Sequence, residues 1–512
     1  MEFSLTLWTL AALPIALLLF LISYLEISSR LAAALSLITA GVLATSVFQV
    51  TPWQLFISAG KGAMLSLYVI LIIVGAVVLF KIVDQAGGFD SLKAYINNLG
   101  GDKTIKLLGL SWAFSSFIQG ITGFGVPVAI VGAMLVGVGY KPFIALTTVL
   151  IGHSWAISFG SMGSSFYALK LVTGLDAVRL GTTMALLFIL PIFTTGIFTV
   201  HVYGGLEAVK KELKYIFPIS IVMGAVMLAA ARFNFPHIGS LLAGLSGSIL
   251  FLLILLGRTG EKLKMPGRVM TLQEALFPYV LLIISVLLAQ LPPVAEILPG
   301  WELALSFPGF TTGLGFQVSP EPNFSPIGLF SHPFFFLLIS SGAGFIFYLF
   351  RDHLNPGEVK TVMVESYRRA GSSALTVFLL MILASLMNDS GMVSMFARGM
   401  AGAAGFLFPL ISPVIGILGA FLTGSNTSSN VLFGAFQVDS ALLLDYSPYR
   451  ISALQSIGGS LGSAVAPAKI IMGTAVVGFE GNEGGILKKC LGYTILSGLA
   501  VGMAVLILSR YI

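Results

Sequence analysis

Residues 3–23, FSLTLWTLAALPIALLLFLIS, contain no charged side chain, and runs of the same kind recur along the chain to its C-terminus. About 20 apolar residues carry an α-helix across the hydrocarbon core of a bilayer, where backbone groups must bond internally. Further runs lie near 31–48, 64–80, 107–139, 142–162, 180–203, 216–232, 236–257, 275–293, 328–350, 372–390, 405–443, 449–478 and 491–509. Little charge is left to face water. Of the 512 residues 9% are charged and 57% hydrophobic, where a soluble domain carries roughly 25% charged residues. That balance excludes a soluble enzyme, a nucleic-acid binder and a disordered chain. The expected fold class is an all-α polytopic membrane protein with roughly 12–14 transmembrane helices. The first run is read as a span and not as a secretory leader. Only Glu2 precedes it, and it has neither a basic segment nor a clear small-residue cleavage site.

Charge then orients the chain. There are 27 Lys and Arg against 21 Asp and Glu, a formal net charge of +6. Lys81, Lys93, Lys103 and Lys106 mark one basic loop; Arg258, Lys262, Lys264 and Arg268 mark a second; Arg351, Lys360, Arg368 and Arg369 mark a third. The loop at 294–327 instead holds Glu296, Glu302 and Glu321, with no Lys or Arg. Basic loops stay on the cytoplasmic side. The acidic loop is therefore expected outside, and so is the N-terminus, in a multi-pass plasma-membrane protein. The division expected is N-terminal helices at 1–59, a first transport repeat at 60–256, a cytoplasmic basic loop at 257–274, connecting helices with an acidic external loop at 275–370, and a second transport repeat at 371–512.

Two runs, 107–139 and 405–443, are too long for one helix and rich in Gly, Ser and Thr. Each is expected to be a broken helix or a re-entrant hairpin. FIQGITGFGVPVAI (117–130) and FLTGSNTSSNVLF (421–433) both open with Phe-x-x-Gly, and ALTTVLIGHSWAISFGSMG (145–163) parallels ALQSIGGSLGSAVAPAKIIMG (453–473). This points to two inverted repeats, whose broken helices hold the site near the bilayer midplane. In the first segment Gly120, Gly123 and Gly125 remove bulk around Thr122, and Pro127 removes a donor. Free N–H groups at a half-helix start suit a carboxylate; a glycine-rich packing seam is the bland alternative. In the second, TGSNTSSN (423–430) has seven polar side chains among eight residues, flanked by apolar runs. In lipid such a stretch needs protein, water or substrate as partner.

Ionisable groups at membrane depth cost at least about 2.5–3.5 kcal/mol on insertion scales and default to function. His153, Asp389 and Lys469 are the candidates. His153 and Asp389 could handle protons, or be a packing histidine and a helix cap. Lys469 could pair with Asp389, face an anionic substrate, or snorkel. One cysteine, Cys490, excludes an internal disulfide and a cysteine metal site. The five histidines show no HExxH spacing, there is no P-loop, and no nucleophile motif stands out. Neither cofactor nor metal is expected.

Three stretches together, GITGFGVPVAIVGAMLVGVGYKP (120–142), LMNDSGM (386–392) and GILGAFLTGSNTSSNVLFGAFQV (416–438), resemble the L-lactate permease family in order and spacing from about residue 60 onward. The resemblance implies a permease carrying L-lactate or a related small 2-hydroxymonocarboxylate such as glycolate by proton symport. The substrate-binding set would be Gln119, Gly120, Thr122, Gly123, Gly125, Ser425, Asn426, Thr427, Ser428, Ser429 and Lys469, with His153 and Asp389 as proton-coupling candidates. The family usually has an acid at Gln119, Asn at His153, an aromatic at Asp389, a basic residue at Ser463, and Pro-Gln-Ser at 467–469. A relocated ion pair is therefore expected, with Lys469 neutralising Asp389 or the substrate carboxylate. A carrier for another organic anion, a Na⁺-coupled one, and more remotely an intramembrane enzyme are the rival readings.

Overall fold

The computed structural model describes residues 2–25, 27–97, 102–123, 125–259, 270–289 and 291–509. Most of the basic loop expected at 257–274, with Lys262, Lys264 and Arg268, lies outside them. Among the described residues, 11 helices are long and apolar enough to cross a membrane, or up to 12 with the bent pair 142–156 and 161–173 counted as a span. One of them, Ala177–Arg232, is broken at Gly204 and Gly205. There the chain doubles back: Phe193 meets Phe217 at 6.0 Å, and Gly224 packs on Ile189. The fold is helical and multi-pass, and the doubling adds one crossing. Large apolar side chains such as Leu186, Phe217, Leu253, Ile346 and Leu496 are exposed on the outer surface. A soluble protein would bury such a belt; it suits the lipid-facing surface of a multi-pass protein.

Local chemistry explains the helix ends. Thr51 and Gln54 form a capping box at the start of Pro52–Gln85, each satisfying an orphan donor of the other. Asp176 accepts from the Arg179 amide. Proline stands in the first turn of Pro142–His153, Pro448–Gly462 and Pro467–Val477, where no N–H is needed. Left-handed glycines close Ser164–Thr173 and Pro467–Val477, a conformation glycine adopts without Cβ strain.

Both over-long runs are broken as expected. The first follows a helix from Lys103 that passes through a π-helical stretch, Gly109–Phe114, into Ser115–Ile121. It breaks after Ile121 and resumes as Val126–Gly137. The second pairs Phe408–Thr423 with Asn426–Leu443 as a helical hairpin with its tip at Gly424 and Ser425. Ser429 Oγ donates to the Gly416 carbonyl (3.0 Å), and Phe408 meets Phe436 at 6.1 Å. After each comes another interrupted helix. Pro142–His153 leads through 154–163 to Ser164–Thr173; Pro448–Gly462 leads through 463–466 to Pro467–Val477. The same order of elements thus occurs twice.

The loop expected to be acidic and external contains β-structure. Strand Glu302–Phe307 pairs antiparallel with Glu321–Gly328, and Phe310–Thr311 with Gln317–Val318. Phe307 packs on Gly60, Phe324 lies 5.7 Å from the Lys61 ammonium, and Gln54 donates to the Thr311 carbonyl (3.0 Å). The hairpin therefore caps one end of helix Pro52–Gln85. At the other end Lys81 pairs with Glu365 (2.7 Å), Gln85 with Glu358 (2.8 Å), and Arg369 covers the Phe80 ring. The basic residues Lys81, Arg368 and Arg369 thus gather on the face opposite the acidic hairpin.

Candidate functional site

The interrupted helices converge on one cavity of about 340 Å³, within the roughly 300–1,000 Å³ usual for small-molecule sites. Gln119 reaches it from Ser115–Ile121. Ser161, Ser164 and Ser165 come from the second break, Thr423–Ser428 from the hairpin tip, and Ala468 and Lys469 from the start of Pro467–Val477. Helix Glu358–Asp389 closes one side with Ser372, Ser373 and Thr376, and Arg30 stands at the rim.

Two kinds of donor face this space. Helix Asn426–Leu443 begins with Ser425, whose hydroxyl accepts from the Ser428 amide (3.3 Å). That caps one of the orphan donors and leaves the amides of Asn426 and Thr427 without an intrahelical acceptor. The positive end of an 18-residue helix therefore faces the cavity. The second donor is Lys469, whose ammonium makes no hydrogen bond or ion pair among the described residues. Gln119 is 2% exposed, and its Oε1 also has no partner there.

Behind the tip lies a buried polar network joining the two halves of the chain. Asn426 Nδ2 donates to Ser158 Oγ (3.0 Å), which shares a hydrogen bond with Ser456 Oγ (2.9 Å). Asn430 Nδ2 donates to the Ser165 carbonyl (2.9 Å) and Ser456 Oγ (3.0 Å). Ser165 and Thr427 hydroxyls are 2.9 Å apart, and Gln455 Nε2 donates to Ser429 Oγ (3.0 Å). All these groups are buried, so the network holds the tip in one geometry. The backbone beneath it is unusual. Ser161, Met162 and Gly163 are consecutive left-handed residues, with φ of 49°, 54° and 71°. Such conformations cost of order 1–3 kcal/mol each for non-glycine residues and cluster at functional sites.

The residues expected at the site divide. Gln119, Ser425, Asn426, Thr427, Ser428 and Lys469 line the cavity. Ser429 lies one layer behind, bonded to Gly416 and Gln455. Gly120, Thr122, Gly123 and Gly125 are not in the lining. Thr122 Oγ1 donates back to the Ile118 carbonyl (2.9 Å). A Cβ on Gly120 would sit 2.5 Å from the Leu241 backbone, one on Gly123 would overlap Ser161 Oγ, and one on Gly125 would meet Met472. These glycines let the first break thread between neighbours. His153 is fully buried, its Nδ1 on the Val149 carbonyl (2.5 Å) and its Nε2 without a hydrogen-bond partner among the described residues. The expected pairing of Lys469 with Asp389 is not formed. Asp389 instead lies 3.6 Å from the Lys61 ammonium and accepts from Ser58 (3.0 Å). Helical periodicity places Asp389 on a face but does not say which helix meets that face.

Sequence reading missed Arg30, Ser158, Ser161, Ser165, Asn430, Gln455 and Ser456. For Ser158, Ser161, Gln455 and Ser456 the signal was present in the parallel runs 145–163 and 453–473, which are dense in small polar residues, and Asn430 closes the polar stretch 423–430. Gly458–Gly462 (GGSLG) also has the GxSxG spacing of a hydrolase nucleophile turn. It lies within helix Pro448–Gly462, and Ser460 Oγ is spent on the Ser154 carbonyl (2.6 Å).

Comparison with known proteins agrees with this architecture. The L-lactate permease family profile matches residues 8–512. The glycolate permease GlcA of Escherichia coli strain K12 is 26% identical, over 97% of this chain and 94% of its own length. The L-lactate permease of Streptococcus iniae is 28% identical, over 77% and 82%, and that of Bacillus subtilis strain 168 is 26% identical, over 90% and 88%. Among solved structures, the YdaH transporter of Alcanivorax borkumensis superposes with a TM-score of 0.51 at 13% identity, covering 95% of this chain and 99% of its own; that likeness concerns the fold alone. With the profile spanning nearly the whole chain and a transporter fold around a polar cavity, the protein belongs to the L-lactate permease family.

Proposed function

We propose that this chain is a plasma-membrane secondary carrier of L-lactate or a related small 2-hydroxymonocarboxylate such as glycolate, driven by proton symport. The observation that carries the reading is the meeting of an open helix N-terminus, Asn426 and Thr427, with the unpaired Lys469 ammonium across one small cavity. A carboxylate fits between them, because both donors favour negative charge. The hydroxyls of Ser161, Ser164, Ser425 and Thr427 suit a 2-hydroxyl group beside it.

The two copies of the interrupted-helix pattern would be inverted repeats, within 60–256 and 371–512, rocking about the cavity. Gly424, Ala468 and Lys469 line both this cavity and a wider mouth beside it, which Lys81, Arg368 and Arg369 also line. By the positive-inside rule this mouth is cytoplasmic, and the acidic hairpin and the N-terminus lie outside. Asp389 suits the coupling proton better than His153: it lines a second cavity, whereas His153 is fully enclosed.

Reconstituted vesicles given labelled lactate, glycolate, pyruvate and dicarboxylates, with ΔpH and ΔNa⁺ imposed separately, test the reading. Accumulation of lactate or glycolate under ΔpH alone is expected. Accumulation under ΔNa⁺ alone, or of dicarboxylates only, would refute it.

A further inference from the structure

A second polar cavity, of about 250 Å³, lies on the hairpin side of the molecule. Lys61, Asp389, Asn388, Ser385 and Thr173 line it, and Glu321 and Phe324 of the β-hairpin reach into it. It shares no lining residue with the central cavity. Leu65 and Ile73 mark the two cavities on helix Pro52–Gln85, Ala384 and Val377 on Glu358–Asp389, and Ala435 and Ser428 on Asn426–Leu443. Each pair is about two helical turns apart, roughly 11 Å along the axis. Buried apolar residues of these stretches, among them Val69, Leu380, Met381, Val431 and Leu432, fill the gap. The structure is thus open toward the basic mouth and shut toward the hairpin.

Lys61 is 2% exposed and touches two carboxylates: Asp389 at 3.6 Å and Glu321 at 2.8 Å. The two differ in kind. Asp389 is buried on a packed helix and is also bonded to Ser58. Glu321 is 40% exposed and belongs to the hairpin. Lys61 offsets Asp389, Asp439 in the same lining is bonded to Ser394 (2.6 Å), and Glu321 adds a further negative charge from the hairpin. A free monocarboxylate replacing Glu321 would leave the charge at this buried site unchanged.

Resting on the transport reading above, we propose that Lys61 is an outer binding station for the substrate's carboxylate, and that Glu321 is a tethered carboxylate holding the station while the path is shut on that side. Substrate arriving at the hairpin face displaces Glu321, which removes the hairpin's ion pair to helix Pro52–Gln85. A tethered group competes at an effective concentration in the millimolar range, so Glu321 raises the substrate concentration needed from that face alone.

The test is zero-trans flux of labelled lactate in oriented vesicles, measured separately from each face. Glu321→Gln is expected to lower half-saturation from the hairpin face about three- to tenfold and leave the basic face unchanged. Lys61→Gln should raise it and abolish the benefit of Glu321→Gln, while Lys61→Arg retains it. Because Lys61→Gln strips a buried pair and could unfold, Glu321→Cys gives an independent arm. Cys490, the one native cysteine, is buried, so a sulfonate-bearing methanethiosulfonate reaches position 321 and should restore the high half-saturation. An ammonium-bearing one should not. Equal shifts from both faces, no shift, or a sulfonate without effect would overturn the station. Loss of lactate flux in the unaltered protein would instead overturn the transport reading.

Discussion

Replacing Lys469 by Gln removes one charge from the central cavity and keeps a hydrogen-bonding side chain of similar length. Lys469 lines both that cavity and the basic mouth, so water screens it from one side. Two unit charges about 4 Å apart interact by about 1 kcal/mol in water and about 4 kcal/mol at the effective dielectric of a protein surface. An intermediate loss of about 2 kcal/mol corresponds to roughly 30-fold in affinity. No protein carboxylate is left unpaired by the change, because the ammonium has no ion-pair partner among the described residues. Folding should therefore be little affected, which separates a binding defect from misfolding. Equilibrium binding of labelled lactate to purified protein in detergent, with a thermal-unfolding control, measures it. Lys469→Gln should weaken binding about 30-fold, and Lys469→Arg by much less. A change under threefold in Lys469→Gln, with the melting midpoint unchanged, would refute the role given to this ammonium.

Other expectations follow from the same geometry. Ser158→Ala removes the acceptor of Asn426 Nδ2 and leaves a buried amide unsatisfied, at about 1–3 kcal/mol; binding should weaken, together with a modest fall in the melting midpoint. Gly120→Ala drives a methyl into the Leu241 backbone, so thermal unfolding should register a loss of about 1–3 kcal/mol. Neutralising Arg368 and Arg369 together should slow lactate association from the basic face at low salt and lose its effect at high salt, since long-range steering is screened. Accumulation under ΔpH should fail in Asp389→Asn and survive in His153→Gln; the reverse result would return the coupling proton to His153.

How much could be read beforehand depended on whether a property lies along the chain or between its parts. The runs of spanning length follow from residue chemistry alone, and so do the two interrupted segments and the polar tip at 423–430. Lipid tolerates no unsatisfied backbone, so a Gly-rich or Ser-rich stretch inside an apolar run announces a break. Lys81, Arg368 and Arg369 do gather on one face, but on the ends of helices Pro52–Gln85 and Glu358–Asp389 and not in the loops expected. The β-hairpin was hidden because 294–327 lies outside the apolar pattern, and its strands are short and mostly exposed.

Tertiary structure decided the rest. Sequence placed Lys469 and Asp389 at membrane depth, but packing set them in different cavities and gave Asp389 to Lys61. It put Gly120, Gly123 and Gly125 against neighbouring backbone and side chains, where only a missing Cβ fits, and brought Ser158, Ser165 and Ser456 behind the hairpin tip from two distant segments. Helical period and composition are local, so they fix which residues share a face. Which faces meet is a property of the assembled bundle, set by close packing over separations of some 300 residues, such as Ser158 to Ser456.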